Sequence, residues 1–153
     1  MNNPFLTTWL LYGWYGIAIV IFAYCAWVDA RTRRIPNQAT YPALLISLGV
    51  TFLAGQWPDA LWGMLLAGLV FFVPRLIGGA KKAGMGDVKL AMIGGLLLGW
   101  SDSIYAVLLA LFLALLIQLP RLIGKRLRWS DTIPFGPYLA LAFSLFLLVK
   151  ILR

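Results

Sequence analysis

The sequence contains no histidine and no glutamate; its five acids are all aspartate, and it has a single cysteine. Without histidine, Ser–His and Cys–His nucleophile pairs are excluded. One cysteine and no histidine leave no thiolate or imidazole zinc site and no intrachain disulfide. Cys25 stands inside an apolar run and reads as a small buried hydrophobe. Charge is scarce as well: 12% of residues are charged, against about 25% in soluble domains. The opening "MNNPFLTT" lacks the basic region of a cleaved signal peptide and reads as a short tail before a first membrane anchor.

Apolar residues make up 62% of the 153 positions. A chain of this composition cannot hide its apolar surface from water, so the bilayer is its expected solvent. Its length predicts one domain, 1–153. The net charge of +8 would suggest nucleic acid in a soluble protein. In a membrane protein the positive-inside rule accounts for it, and no nucleic-acid partner is expected.

The apolar runs predict about six spans, at about 8–28, 39–54, 59–78, 88–100, 103–123 and 134–151. Pro74 is expected to bend or end the third. The fourth is short for a full crossing and would rely on bilayer thinning or on packing inside a bundle. Eleven of the thirteen Lys and Arg fall in the first, third and fifth connections, among them Arg31, Arg33, Arg34, Arg75, Lys81, Lys82 and Lys89. The prediction is an all-α integral membrane bundle with those connections cytoplasmic and both termini outside. Gly95 and Gly99 have the four-residue spacing that lets helix backbones approach; ordinary membrane-helix composition explains them equally well.

Carboxylates near a membrane are costly and often functional. Asp59 and Asp102 read as caps or first-turn acids of helices, and Asp131 as a cap or ion-pair partner. Asp29 and Asp87 differ, because the predicted topology puts both at similar depth on the cytoplasmic side. Two carboxylates held close together tend to share one proton. They then supply a general base to activate water and a general acid for a leaving amine. Asp87 also reads as a helix N-cap, and Asp29 as a partner for Arg31, Arg33 or Arg34. Ile35-Pro36-Asn37 predicts a turn, with Asn37 available to cap the next helix. Pro134, Gly136 and Pro137 predict a kinked entry to the last span.

Three stretches, "DARTRRIPN" (Asp29 to Asn37), "GMGDVKL" (Gly84 to Leu90) and "IPFGPYLALA" (Ile133 to Ala142), resemble in order and approximate spacing the signatures of type IV prepilin peptidases, of the GxGD group of membrane aspartic proteases. The resemblance covers nearly all of the chain. It implies Asp29 and Asp87 as the catalytic pair, with no metal or other cofactor needed for proteolysis. It also implies a multi-pass protein of the inner (cytoplasmic) membrane. Its substrate would be a prepilin, pseudopilin or Flp-type or flagellin-like precursor, with a short basic leader followed by an apolar helix.

Gly84 and Gly86 would let an extended substrate backbone approach, and Ile35, Pro36, Asn37, Pro134, Phe135 and Gly136 are candidate substrate-binding positions. Lys89, just past Asp87, either tunes its charge or snorkels to the interface. Long members of the family carry an N-terminal four-cysteine domain and methylate the new N-terminus. This chain starts almost at once with a predicted span and has one Cys, so methyl transfer is not expected. It looks more like the short peptidases of Tad/Flp-type or archaeal systems, or like a trimmed piece of a longer enzyme. Other classes stay open on the residues alone: a small transporter or channel, which the lack of mid-depth charges disfavours, or a non-catalytic pilus assembly factor.

Overall fold

The computed structural model describes residues 4–78, 84–123 and 135–153. Every element among the described residues is helical: α1 (Pro4–Thr32), α2 (Asn37–Leu53), α3 (Trp57–Gly78), α4 (Met85–Ile123) and α5 (Gly136–Leu152). Stretches of α1, α3 and α4 (Thr7–Thr32, Trp57–Ile77 and Met85–Leu119) are long and apolar enough to cross a membrane, by length and composition. α3 runs through Pro74 to Gly78, so that proline does not end it.

α4 is not one rod. Gly99 has φ 79° and ψ −175°, a left-handed conformation open to glycine because it lacks a Cβ. The contacts on either side show that the chain doubles back there. In the first half, Phe143 packs on Gly94, and Lys150 donates to the carbonyls of Leu97 and Leu98 at 3.4 and 2.8 Å. In the second half the order reverses: Asp102 lies 3.9 Å from Lys150, and Gln118 donates to the Tyr138 hydroxyl at 3.0 Å. α5 therefore lies alongside the first half in the same direction and alongside the second half in the opposite one. The described chain thus forms six helical segments, the fourth and fifth meeting at Gly99.

Two long side chains close this turn. Asp59, in the first turn of α3, accepts the backbone N–H of Trp100 at 3.1 Å, satisfying a donor that has no partner within the new helical half. Lys150 satisfies the last carbonyls of the old half. A side chain at residue 99 would run into the Asp59 carboxylate.

The first half of α4 is the centre of the bundle. Val88, Leu90, Ala91, Ile93, Leu96, Leu97 and Leu98 are all buried. Glycine allows this crowding: Gly95 and Gly99 meet Gly63 of α3 backbone to backbone, while Gly68 takes Met92. The four-residue glycine spacing thus serves close helix approach. The buried core draws residues from all five helices. Phe22 and Phe143 pack at 6.0 Å between ring centroids, and Trp14 donates to the buried Ser47 at 2.9 Å.

The outer surface carries many large apolar side chains, with Leu45, Phe52, Leu69, Ile77, Phe112 and Leu148 exposed, which is how a helix bundle meets lipid. Exposed aromatics sit at both ends: Trp57, Trp62 and Trp100 beside the Gly99 turn, Trp27 and Tyr41 at the opposite end, the levels where amphipathic rings meet the membrane interface.

Candidate active site

The end of the bundle opposite Gly99 gathers the last turn of α1, the 33–36 connection and the first residues of α4 and α5. α1 stops in a defined way. Arg33 takes φ 53°, the left-handed conformation that ends many helices, and its N–H donates to the Asp29 carbonyl at 2.8 Å. Asp29 is thereby fixed in the final turn, 5% exposed.

Its carboxylate accepts the backbone N–H of Gly136 at 3.1 Å. Gly136 opens α5, and Phe135 before it supplies no side-chain cap. An aspartate from a helix 107 positions away does that work, at the end of α5 where the helix dipole favours an anion. A Cβ on Gly136 would sit 2.6 Å from Asp29 Oδ2, so glycine is required for this contact. The expected ion pair with Arg31, Arg33 or Arg34 is not found among the described residues. Arg31 instead stacks 4.2 Å over Trp27.

Asp87 is half-buried and stands at the third position of α4, not at its N-cap as the sequence suggested. Its carboxylate reaches back to the backbone N–H of Gly84, the residue just before the helix, as the acid of a capping box does. It also interacts electrostatically with Asp29. The two carboxylates that lie 58 positions apart in sequence therefore share one end of the bundle, each held by a backbone N–H at the start of a different helix.

The other predicted positions fall around this pair in varied roles. A Cβ on Gly86 would meet the Ile35 side chain at 2.6 Å, so packing against the 33–36 connection already occupies the face on which clearance for substrate was expected. Gly84 is exposed, and a side chain there would meet Asp87 Oδ2 at 3.0 Å. Pro36 is the N-cap of α2 in an extended conformation (φ −69°, ψ 121°) with no side-chain cap. The expectation that Asn37 caps α2 is therefore corrected. Asn37 Oδ1 instead accepts Lys89 Nζ at 2.9 Å, and Lys89 also donates to the Tyr41 hydroxyl at 2.8 Å. Phe135 joins an aromatic run, with ring centroids 6.0 Å from Phe71 and 6.4 Å from Tyr138. Pro134, Asp131, Lys81 and Lys82 lie outside the described residues.

Sequence reading missed Tyr41, Tyr138 and Gln118. Tyr41 does carry a signal: it stands four residues after Asn37, on the same helical face. Gln118 is a lone amide in an apolar stretch, and nothing local points to Tyr138 as its partner. Among the described residues no cluster of three or more His, Cys, Asp or Glu could hold a metal ion. Chemically, the arrangement offers a pair of carboxylates at one end of the bundle.

The chain matches the model of the type IV leader peptidase family over residues 16–119. It is 33% identical to a prepilin leader peptidase/N-methyltransferase of Dickeya chrysanthemi over 138 residues, covering 86% of this chain and 49% of that protein. Proteins of the same name from Burkholderia pseudomallei (strain K96243) and Aeromonas salmonicida are each 30% identical. These alignments cover 85% of this chain, with 46% and 48% of the respective relatives. The chain thus spans about half the length of the curated relatives it matches. No solved structure matches it. The family match takes in α2, α3, Asp29, Asp87 and most of α1 and α4, and on it this chain belongs to the type IV leader peptidase family.

Proposed function

We propose that the chain is a multi-pass aspartic endopeptidase of the inner membrane that removes the basic leader of prepilins and related precursors at the cytoplasmic face. The observation that carries this reading is the meeting of Asp29 and Asp87 at one end of the bundle, the end that also receives the Arg31–Arg34 connection. The positive-inside rule makes that end cytoplasmic and puts both termini outside.

In the reaction one carboxylate takes a proton from water, whose oxygen attacks the scissile carbonyl. The other carboxyl gives its proton to the departing amide nitrogen as the C–N bond breaks. The two groups titrate as a pair, so the roles of base and acid belong to the pair. The apolar helix of the precursor lies against the lipid-facing surface of the bundle, which holds the leader junction at the depth of the two aspartates. The relatives are named for leader peptidase and N-methyltransferase together; the carboxylate pair accounts for the peptidase step.

The test is co-expression with a candidate prepilin, comparing the wild type with Asp29→Asn and Asp87→Asn variants whose membrane accumulation is verified. Both variants are expected to leave the precursor uncut. Normal processing by either one would overturn the assignment. An intact precursor with the wild type would point to a different substrate or a different class of function.

A further inference from the structure

The Lys89 ammonium finds its partners on α2. Successive residues of an α-helix turn by about 100°, so side chains two positions apart leave on opposite sides. Asp87 accordingly feels Asp29 and the Gly84 amide, while the Lys89 ammonium is spent on α2. It donates to Asn37 Oδ1 at 2.9 Å and to Tyr41 Oη at 2.8 Å, and it lies 4.0 Å from the centroid of the Tyr41 ring. Asn37 and Tyr41 are one turn apart on the same face of α2. A single ammonium gripping both fixes the rotation of α2 as well as its distance from α4.

A second contact lies one turn earlier on α4, where Gly86 accommodates Ile35. Asp87 falls between the two attachments. A third observation is independent of both. Arg33 is held in the left-handed region, which is unfavourable for a non-glycine residue. Such conformations persist where the surrounding structure over-determines them. The segment from Arg33 to Tyr41 is therefore anchored on α4 immediately on either side of Asp87, and Asp29 sits only four residues before Arg33 on α1.

We infer that Lys89, Asn37 and Tyr41 form a positioning clamp that sets the separation of Asp29 from Asp87. None of the three is a catalytic residue. They act by registering the end of α1 on the helix that carries Asp87. This inference rests on the proposed peptidase reading. A misplacement of about 1 Å in a catalytic pair costs about 100-fold in rate, so loosening the clamp is expected to lower kcat by roughly 10- to 100-fold while KM stays within about twofold.

The experiment measures cleavage of a purified prepilin by the full chain in proteoliposomes. It compares wild type, Lys89→Met, Asn37→Ala, Tyr41→Phe and the Lys89→Met/Asn37→Ala double variant. The clamp predicts a fall in kcat for each single variant, smallest for Tyr41→Phe, which keeps the ring. It also predicts that the double variant falls no further than Lys89→Met alone, because the second change removes a partner already lost. If Lys89→Met keeps wild-type kcat, the clamp is overturned. If Lys89→Met is slow while Asn37→Ala and Tyr41→Phe are normal, Lys89 acts on substrate or on Asp87 directly, and the clamp is again overturned. A rise in KM with unchanged kcat would make these residues substrate contacts and would also overturn it. If Lys89→Met does not accumulate, Asn37→Ala and Tyr41→Phe carry the same test. A wild type that does not cleave refutes the peptidase reading itself. A cleaving wild type with an insensitive clamp refutes only this inference.

Discussion

Gly136 donates its backbone N–H to the carboxylate of Asp29 across 107 positions of sequence, at 3.1 Å. One side chain thereby both caps α5 and stands in the candidate catalytic pair, so the stability of that helix and the chemistry of the site are tied together.

Replacing Gly136 by alanine is expected to break this link. The added Cβ would lie 2.6 Å from Asp29 Oδ2 and 2.9 Å from Asp29 Cβ, and the carboxylate would have to move. Overpacking of this kind costs about 1–3 kcal/mol, and cleavage should fall at least as far as for a 1 Å misplacement, about 100-fold. Thermal melts in detergent and a processing assay check the two effects. Gly13→Ala, which meets open space, is the control and should be neutral or slightly stabilising.

The Gly99 turn predicts a contrast between two neighbours in space. Asp59→Ala removes one cap and should cost about 1 kcal/mol with leader cleavage intact, since Asp59 lies at the far end of the bundle. Gly99→Ala adds left-handed strain and drives a Cβ into the Asp59 carboxylate, and should cost about 2–5 kcal/mol. Equilibrium unfolding in detergent separates the two. Loss of processing in a stable Asp59→Ala protein would contradict the structural role given to that residue.

Arg33→Gly should not destabilise the protein, although it removes a charge. The residue holds φ 53°, which glycine adopts freely, so a gain of roughly 0.5–1 kcal/mol is expected. A clear loss of stability would mean that the Arg33 side chain, not its backbone conformation, carries the position.

Trp14→Phe and Ser47→Ala each remove one end of a buried interhelical hydrogen bond of 2.9 Å. Such bonds average about 0.6 kcal/mol in membrane bundles, and the orphaned partner adds to the cost of each single change. The double variant should therefore be less destabilised than the sum of the singles, by a measurable coupling in a double-mutant cycle.

The coarse plan of the molecule was legible because it follows from charge and hydropathy. Arg31, Arg33 and Arg34 mark one connection and Lys89 another, and the runs between them approximate the six helical segments. The expectation that Asp29 and Asp87 lie toward the same end of the bundle followed from that alternation, and the two do lie there. Contacts between helices were not legible, since nothing periodic links Asp59 to Trp100 or Lys89 to Asn37, 41 and 52 positions apart. Local reading also misassigned caps. Asn37 follows a proline that itself occupies the N-cap, and Asp87 sits three residues further along than a simple cap would. The partner of Asn37 lies 52 positions away, where sequence offers no hint, whereas that of Asp87 is the Gly84 amide three residues back.

The single residue Gly99 also solves a problem of reach. A straight helix of 39 residues would extend about 58 Å, nearly twice the roughly 30 Å of a hydrocarbon core. Folded at that glycine, it becomes a short leg of about 21 Å and a longer one of about 36 Å. The short leg, sheathed by its neighbours, has no need to match the thickness of the lipid. Asp87 can therefore stand at the foot of a protected strut whose length is set by protein packing, so its depth should hold steady as the membrane around it thins or thickens.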